Sequence, residues 1–263
     1  MSRLHFTFGC GSLNLAGTLD TAPGTTGLLL VSGGNEIRSG AFSGQSQLAA
    51  RISAKGFPVF RYDRRGIGES EGENRGFRSS EKDIRAAVEA FRSMVPQMDR
   101  VIGLGNCDAA SALMLSGGAG LDGLVLSNPW TIEEAEESAT KEPQHAPESI
   151  RARYLEKLKN PREIARLLRG GVDLGKLARG VMQSLRPAPA ASGLAEEMRA
   201  GLAGFEGHVS ILLATADRTA QVFQTNWDKN DPRITSCPGA GHAYVEPEHR
   251  DWLEAQVLAA LRA

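Results

Sequence analysis

Val101-Ile102-Gly103-Leu104-Gly105-Asn106-Cys107-Asp108-Ala109-Ala110 reads as an apolar strand that turns sharply into a helix. The small residues two places before and two places after Cys107, Gly105 and Ala109, give the spacing G-x-Nuc-x-G/A, in which a nucleophile rides on a strained strand-to-helix turn. Small residues are needed there because the incoming strand and outgoing helix pass close to each other. The turn puts Cys107 at a helix N-terminus, where the helix dipole favours thiolate over thiol. An inert buried cysteine is the competing reading of the same residue. Asp108 is a second possible nucleophile, but centring the turn on it would place Asn106 where a small residue is required. Asp108 is therefore read as a helix-start residue whose backbone N–H lies in an oxyanion hole.

Working outward, the chain alternates short apolar runs with helix-period segments. Leu28–Val31, Pro58–Phe60, Val101–Leu104, Leu124–Leu126 and Val209–Leu213 are continuous apolar runs, as expected of strands covered on both faces. Ala41–Ala54, Glu81–Met94, Ala109–Leu115 and Trp252–Leu261 carry helical periodicity. At the N-terminus, Leu4–Phe8 and Leu13–Leu19 alternate as a half-buried hairpin at a sheet edge would. The fold class expected is α/β, a mostly parallel central sheet with helices on both faces. Residues 1–263 are expected to form one domain. From about 131 to 195 no strand is legible, only charged helical segments such as 148–159 and 161–168, and this stretch is expected to be a helical cap inserted over the carboxyl ends of the strands. Trp130, Tyr154, Leu155 and Leu158 could line a pocket there or simply pack helices.

Two later segments complete a catalytic constellation. Ser236-Cys237-Pro238-Gly239-Ala240-Gly241-His242 is a strand end, a small-residue loop and a histidine just before the last helix. None of the other four histidines has such a setting. Ile211–Ala214 runs through Thr215 and Ala216 into Asp217, a carboxylate at a strand's carboxyl end, able to orient the imidazole and stabilise its cation. The order nucleophile, acid, histidine (Cys107, Asp217, His242) is the one used with this kind of turn. Ser32-Gly33-Gly34-Asn35 follows the first long core strand and offers the other oxyanion N–H, from Gly34 or alternatively Asn35. In Asp63–Ser70, Gly66 and Gly68 form turns and Asp63 and Ser70 bond the loop.

The bulk numbers exclude several classes. A net charge of -1 over 263 residues gives no electrostatic reason to expect nucleic acid or an anionic membrane. No apolar run approaches the roughly 20 residues of a membrane span, and the N-terminus lacks a signal layout, so a cytoplasmic location is expected. Three cysteines, Cys10, Cys107 and Cys237, are too few and too scattered for a disulfide framework or zinc cluster. No metal and no cofactor is expected, since neither phosphate-binding glycine motifs nor ligand spacings occur. The oligomeric state is not legible.

With these residues assembled, the chain resembles the α/β-hydrolase superfamily over nearly its whole length, the loop D-x-R-G-x-G-x-S (Asp63 to Ser70) being one of that superfamily's more specific signatures. The segments LLLVSGGNEIRSG, YDRRGIGESEG, GLGNCDAAS, LVLSNPW, ATADRTAQVF and PGAGHAY resemble the exosortase A-associated hydrolase type 1 group. That resemblance implies an α/β-hydrolase fold and a role near bacterial exopolysaccharide or protein-sorting loci. Cys107, Asp217 and His242 are also similar to the triad of dienelactone hydrolases, from which the chain departs at Asp108 and Ala109 and in its longer insertion. The activity expected is cleavage of a carboxylic ester, thioester or lactone on a small-molecule acyl substrate, through an acyl-enzyme on Cys107. The alternatives are an acyltransferase using the same acyl-enzyme and a non-catalytic binding protein on a hydrolase scaffold.

Overall fold

The computed structural model describes residues 2–132 and 193–263. The expected cap, apart from its two ends, lies outside the described residues, as do its helical segments 148–159 and 161–168.

The alternating N-terminal segments form a hairpin, β1 (Arg3–Cys10) against β2 (Leu13–Asp20), antiparallel in register from Arg3↔Asp20 to Cys10↔Leu13. The apolar runs become β3 (Thr26–Val31), β4 (Val59–Tyr62), β5 (Arg100–Asn106), β6 (Gly123–Ser127), β7 (His208–Ala214) and β8 (Ile234–Cys237). Together they make one eight-stranded sheet in the order β1-β2-β4-β3-β5-β6-β7-β8, with β3 to β8 paired in parallel.

The apolar runs are continuous because each strand is covered twice, and strand parity sorts their side chains. Leu29, Val31, Leu124, Leu126, Ile211 and Leu213 face one layer, whereas Leu28, Leu30, Ile102, Leu104, Val125 and Leu212 face the other. The first layer holds α2 (Glu81–Met94), α3 (Asp108–Leu115), α4 (Gly193–Leu202) and α5 (Arg218–Asn226). The second holds α1 (Gly44–Ala54) and α6 (Pro247–Arg262). An aromatic cluster ties the hairpin to the sheet: Phe60 on β4 is fully buried, stacks on Phe6 at 5.3 Å and meets Phe91 of α2 at 5.6 Å.

Three element boundaries differ from the sequence reading. The stretch Ala41–Ser43 is a separate 3-10 turn, because Ser43 adopts a left-handed conformation (φ 58°) and the α-helix starts only at Gly44. The last helix begins at Pro247, five residues before the expected start, since proline is well suited to a helix's first position. The core resumes inside the expected cap boundary: Leu194, Ala195, Met198 and Leu202 form the buried face of α4, a helical stripe masked in the sequence by the charges of Glu196, Glu197 and Arg199.

This topology brings the carboxyl ends of β3 through β8 to one edge of the sheet. Every segment singled out for chemistry leaves the sheet there: Ser32–Asn35 after β3, Asp63–Ser70 after β4, Cys107 after β5, Asp217 after β7 and His242 after β8.

Candidate active site

Cys107 sits between β5 and α3 with φ 62° and ψ −128°, a left-handed conformation that costs a non-glycine residue about 1–3 kcal/mol. The turn is held from several sides. The Cys107 N–H donates to the Ser127 carbonyl (3.0 Å), and the Cys107 carbonyl accepts from Ala110 N–H (3.1 Å) and Trp130 N–H (3.3 Å). Gly105 is required by the close approach of strand and helix: a Cβ there would stand 2.7 Å from both the Ala109 carbonyl carbon and the Ala110 nitrogen. The tightness of this crossing is the physical content of the G-x-C-x-A spacing.

Asp217 caps α5, its Oδ1 accepting from Thr219 N–H and its Oδ2 from Ala220 N–H, each at 3.3 Å. The same Oδ2 lies 2.9 Å from His242 Nδ1. Capping and histidine orientation are thus combined in one buried carboxylate, so the helix cap fixes the carboxylate that fixes the ring. His242 is pushed up to about 10, first by its hydrogen bond to Asp217 and next by its hydrogen bond to the Cys107 side chain, with burial opposing. The imidazolium is thereby stabilised between the Asp217 carboxylate and the Cys107 sulfur.

Residues not singled out in the sequence hold the histidine loop. Asn128, fully buried after β6, donates through Nδ2 to Asn106 Oδ1 (3.0 Å) and accepts the Ala214 N–H on Oδ1 (2.8 Å). Asn106 Nδ2 in turn donates to the His242 carbonyl at 3.2 Å. Tyr244 is buried, pairs its hydroxyl with Ser127 Oγ at 3.1 Å and stacks on Trp252 of α6. Cys107, Asn128 and Tyr244 are all non-glycine residues at positive φ beside the site. The signal for Asn128 was present, a polar residue followed by proline at the end of an apolar strand, but nothing in the pattern tells which backbone groups it reaches.

The oxyanion region departs from the expectation in one respect. The Asp108 N–H, at the first residue of α3, has no intrahelical partner, as expected of a helix start. Gly34 lines the cavity at Cys107 and Asn35 does not. The Gly34 N–H, however, is engaged: it donates to Asp108 Oδ1 at 2.7 Å. The aspartate read only as a helix-start residue folds its side chain back over the glycine loop, and it can do so because Gly33 leaves room where a Cβ would come within 2.6 Å of that oxygen. Arg64, buried in the loop after β4, braces the arrangement. It hydrogen-bonds the Gly34 carbonyl, donates to Ser80 Oγ (3.2 Å) and stands 3.6 Å from Asp108 Oδ2. In the same loop Asp63, fully buried, is hydrogen-bonded by the Arg38 N–H and guanidinium and by the Glu69 N–H, and Ser70 Oγ donates to the Asp63 carbonyl.

Cys107 and His242 open on a cavity of about 360 Å³, floored by Leu30 and Leu104 of the sheet and walled by residues of α1 and α6. The other two thiols are elsewhere. Cys10 and Cys237 are buried, and burial pushes both thiols up. Among the described residues no three histidine, cysteine or carboxylate side chains converge as a metal site, and no helix is long and apolar enough to cross a membrane. Brief treatment of the native protein with iodoacetamide is expected to alkylate one thiol of three, mapped to Cys107 by peptide mass. Labelling of Cys10 or Cys237 at a similar rate would contradict this description of the three environments.

Comparison with known proteins agrees with the architecture. A model of the "Alpha/beta hydrolase family" matches residues 28–256. Among solved structures, the esterase Pf2001 of Pyrococcus furiosus superposes with TM-score 0.63 at 12% identity, covering 99% of this chain and 90% of that one. The alpha/beta hydrolase GrgF of Penicillium sp. sh18 gives 0.64 at 16% identity, covering 100% and 98%. XC6422 of Xanthomonas campestris, described as a serine hydrolase without a lid, gives 0.59 at 12% identity, covering 100% and 94%. No curated protein matches by sequence. At such identities the structural likeness speaks for the fold alone, whereas the family match extends over most of the chain. On that match, and on the sheet order and strand-to-helix turn that embody it, the protein belongs to the alpha/beta hydrolase family.

Proposed function

We propose that the protein hydrolyses a small-molecule carboxylic ester, thioester or lactone through an acyl-enzyme on Cys107. The observation that carries this reading is the chain Asp217–His242–Cys107, with Asp217 Oδ2 2.9 Å from His242 Nδ1 and Cys107 at the mouth of a cavity. Esterases and serine hydrolases among the structural neighbours support the reaction class, with cysteine standing here at the elbow.

In the forward step the Cys107 sulfur attacks the substrate carbonyl carbon. The Cys107 proton, held on the imidazole, passes to the leaving alcohol or thiol as the tetrahedral intermediate collapses to a thioester. Water then attacks that thioester, His242 takes the water's proton, and the acid leaves as the thiol is restored. A thiolate is expelled more readily than an amine, so esters and thioesters are favoured over amides as substrates. The N–H of Asp108, at the start of α3 and so without an intrahelical partner, is one oxyanion donor. Gly34 becomes the second when the Asp108 carboxylate swings off it towards Arg64. The reduced thiol this chemistry needs suits the cytoplasm. The motif resemblance extends the reading to a setting beside bacterial exopolysaccharide or protein-sorting functions.

The direct test is steady-state turnover of a panel of alkyl esters and acyl thioesters, with no added acceptor, by the native protein and Cys107→Ala. Activity on at least one substrate, lost by about 10³-fold or more in the variant, is expected; undiminished turnover in Cys107→Ala would refute the cysteine mechanism.

The raised histidine makes a pH prediction with a definite sign. Turnover of an alkyl ester, whose leaving group needs a proton, requires the imidazolium, so the alkaline limb should fall near pH 10. Asp217→Asn removes the largest cause of the shift, and the limb should move down towards the ordinary histidine value of about 6.5. An unmoved limb would detach Asp217 from the chemistry.

Asp108→Ala frees the Gly34 N–H and removes a negative charge from the oxyanion site. A hydrogen bond to a charged group contributes about 1.5–3 kcal/mol, so kcat/KM for esters is expected to rise about tenfold. A fall would show that the carboxylate is needed to hold the glycine loop in place.

A further inference from the structure

The cavity that begins at Cys107 runs between α1 and α6. Its floor is Leu30 and Leu104, and Leu48 of α1 and Leu253 of α6 contribute to its walls. Such a slot accepts an aliphatic chain, and its volume of about 360 Å³ is at the small end of ligand sites, roughly 300–1,000 Å³.

The walls also carry charge, and its pairing is uneven. Arg51 of α1 is bonded to both Asp251 and Glu254. Glu246 pairs with His249 (3.0 Å). Glu248 is two positions from Arg250, a spacing at which side chains on a helix do not face each other. Arg250 itself, in the first turn of α6, has one side-chain partner among the described residues, the neutral Gln47 Oε1 at 3.2 Å. Its Nε is buried with no partner. A cation in the first turn also lies at the positive end of the helix dipole, where anions are favoured and cations are not. Buried donors without acceptors are costly, and the Arg250 side chain is part of the cavity lining. Among the described residues that line the cavity, the one acid is Glu36, two residues from Gly34 and on the loop after β3.

We propose that this cavity is the acyl-binding site and that it selects a medium-length straight acyl chain ending in a carboxylate, with the methylenes between Leu48 and Leu253 and the terminal carboxylate held by Arg250 and Gln47. The substrate class is then the half-ester or half-thioester of a linear dicarboxylic acid. The inference rests on the acyl-enzyme reading for its reaction but not for its binding site.

Two experiments separate the two. The first measures kcat/KM for succinyl, adipoyl, suberoyl and sebacoyl half-thioesters beside plain acyl thioesters of the same lengths. At the best length the carboxylated substrate is expected to lead by tenfold or more, a charge-assisted hydrogen bond being roughly twice as strong as a neutral one. Arg250→Gln should bring that ratio to about one, Arg250→Lys should restore part of it, and Leu253→Phe should shift the best length downwards. A ratio near one at every length in the native protein, or an unchanged ratio in Arg250→Gln, would overturn the proposal. The second is calorimetric titration of Cys107→Ala with free suberate, which needs no turnover. Suberate binding that disappears when Arg250→Gln is added supports the anion site even if no ester is cleaved, in which case the hydrolase reading alone fails. Ester cleavage without carboxylate preference and without suberate binding leaves the hydrolase reading and removes this one.

Discussion

Cys107 is held at φ 62° by a crossing of strand and helix so close that residue 105 has no room for a side chain. Its backbone is tied to Ser127 on β6 and to Trp130 beyond it. The strain at the turn is tolerated because these partners over-determine it, and the result is a thiol presented at the edge of the sheet, at a helix N-terminus. The rest of the site is arranged around that fixed point. β7 and β8 are the next strands along the same edge, and the loops leaving them carry the carboxylate and the imidazole.

The histidine is held less by its own loop than by its neighbours. Asp217 is immobilised by capping α5, and the Asn128–Asn106 pair grips the His242 carbonyl from the other side. Asn128 also takes the Ala214 N–H, so one buried amide links the ends of three strands. Such polar networks are worth having only when every member is satisfied, as the Asn128 side chain is. Against this rigidity stands Asp108, whose carboxylate occupies the N–H that an oxyanion would need. Arg64 bridges the same loop and that carboxylate, so the loops after β3 and β4 share one electrostatic lock with the start of α3.

The sheet was legible in the sequence because strands buried on two faces must be apolar throughout, and the order of the three candidate residues followed from where strands end. The elbow was legible because sterics demand small residues at fixed offsets. What escaped reading has a common cause. The side chain of Asp108, the reach of Arg64 and the partners of Asn128 are matters of direction across 16 to 86 residues of chain, and residue type alone carries no direction. The buried face of α4 escaped because three charges, Glu196, Glu197 and Arg199, interrupt its apolar positions in a short window.

The central claim is that the substrate's acyl group rides on Cys107. Rapid acid quench of the native protein with a slowly hydrolysed acyl thioester, read by intact mass and then by peptide mapping, tests it directly. One acyl mass on the peptide containing Cys107, absent from Cys107→Ala and persisting longer in His242→Ala if that variant acylates at all, is the result expected. Turnover with no adduct on that peptide, or an adduct at Asp108, would contradict it.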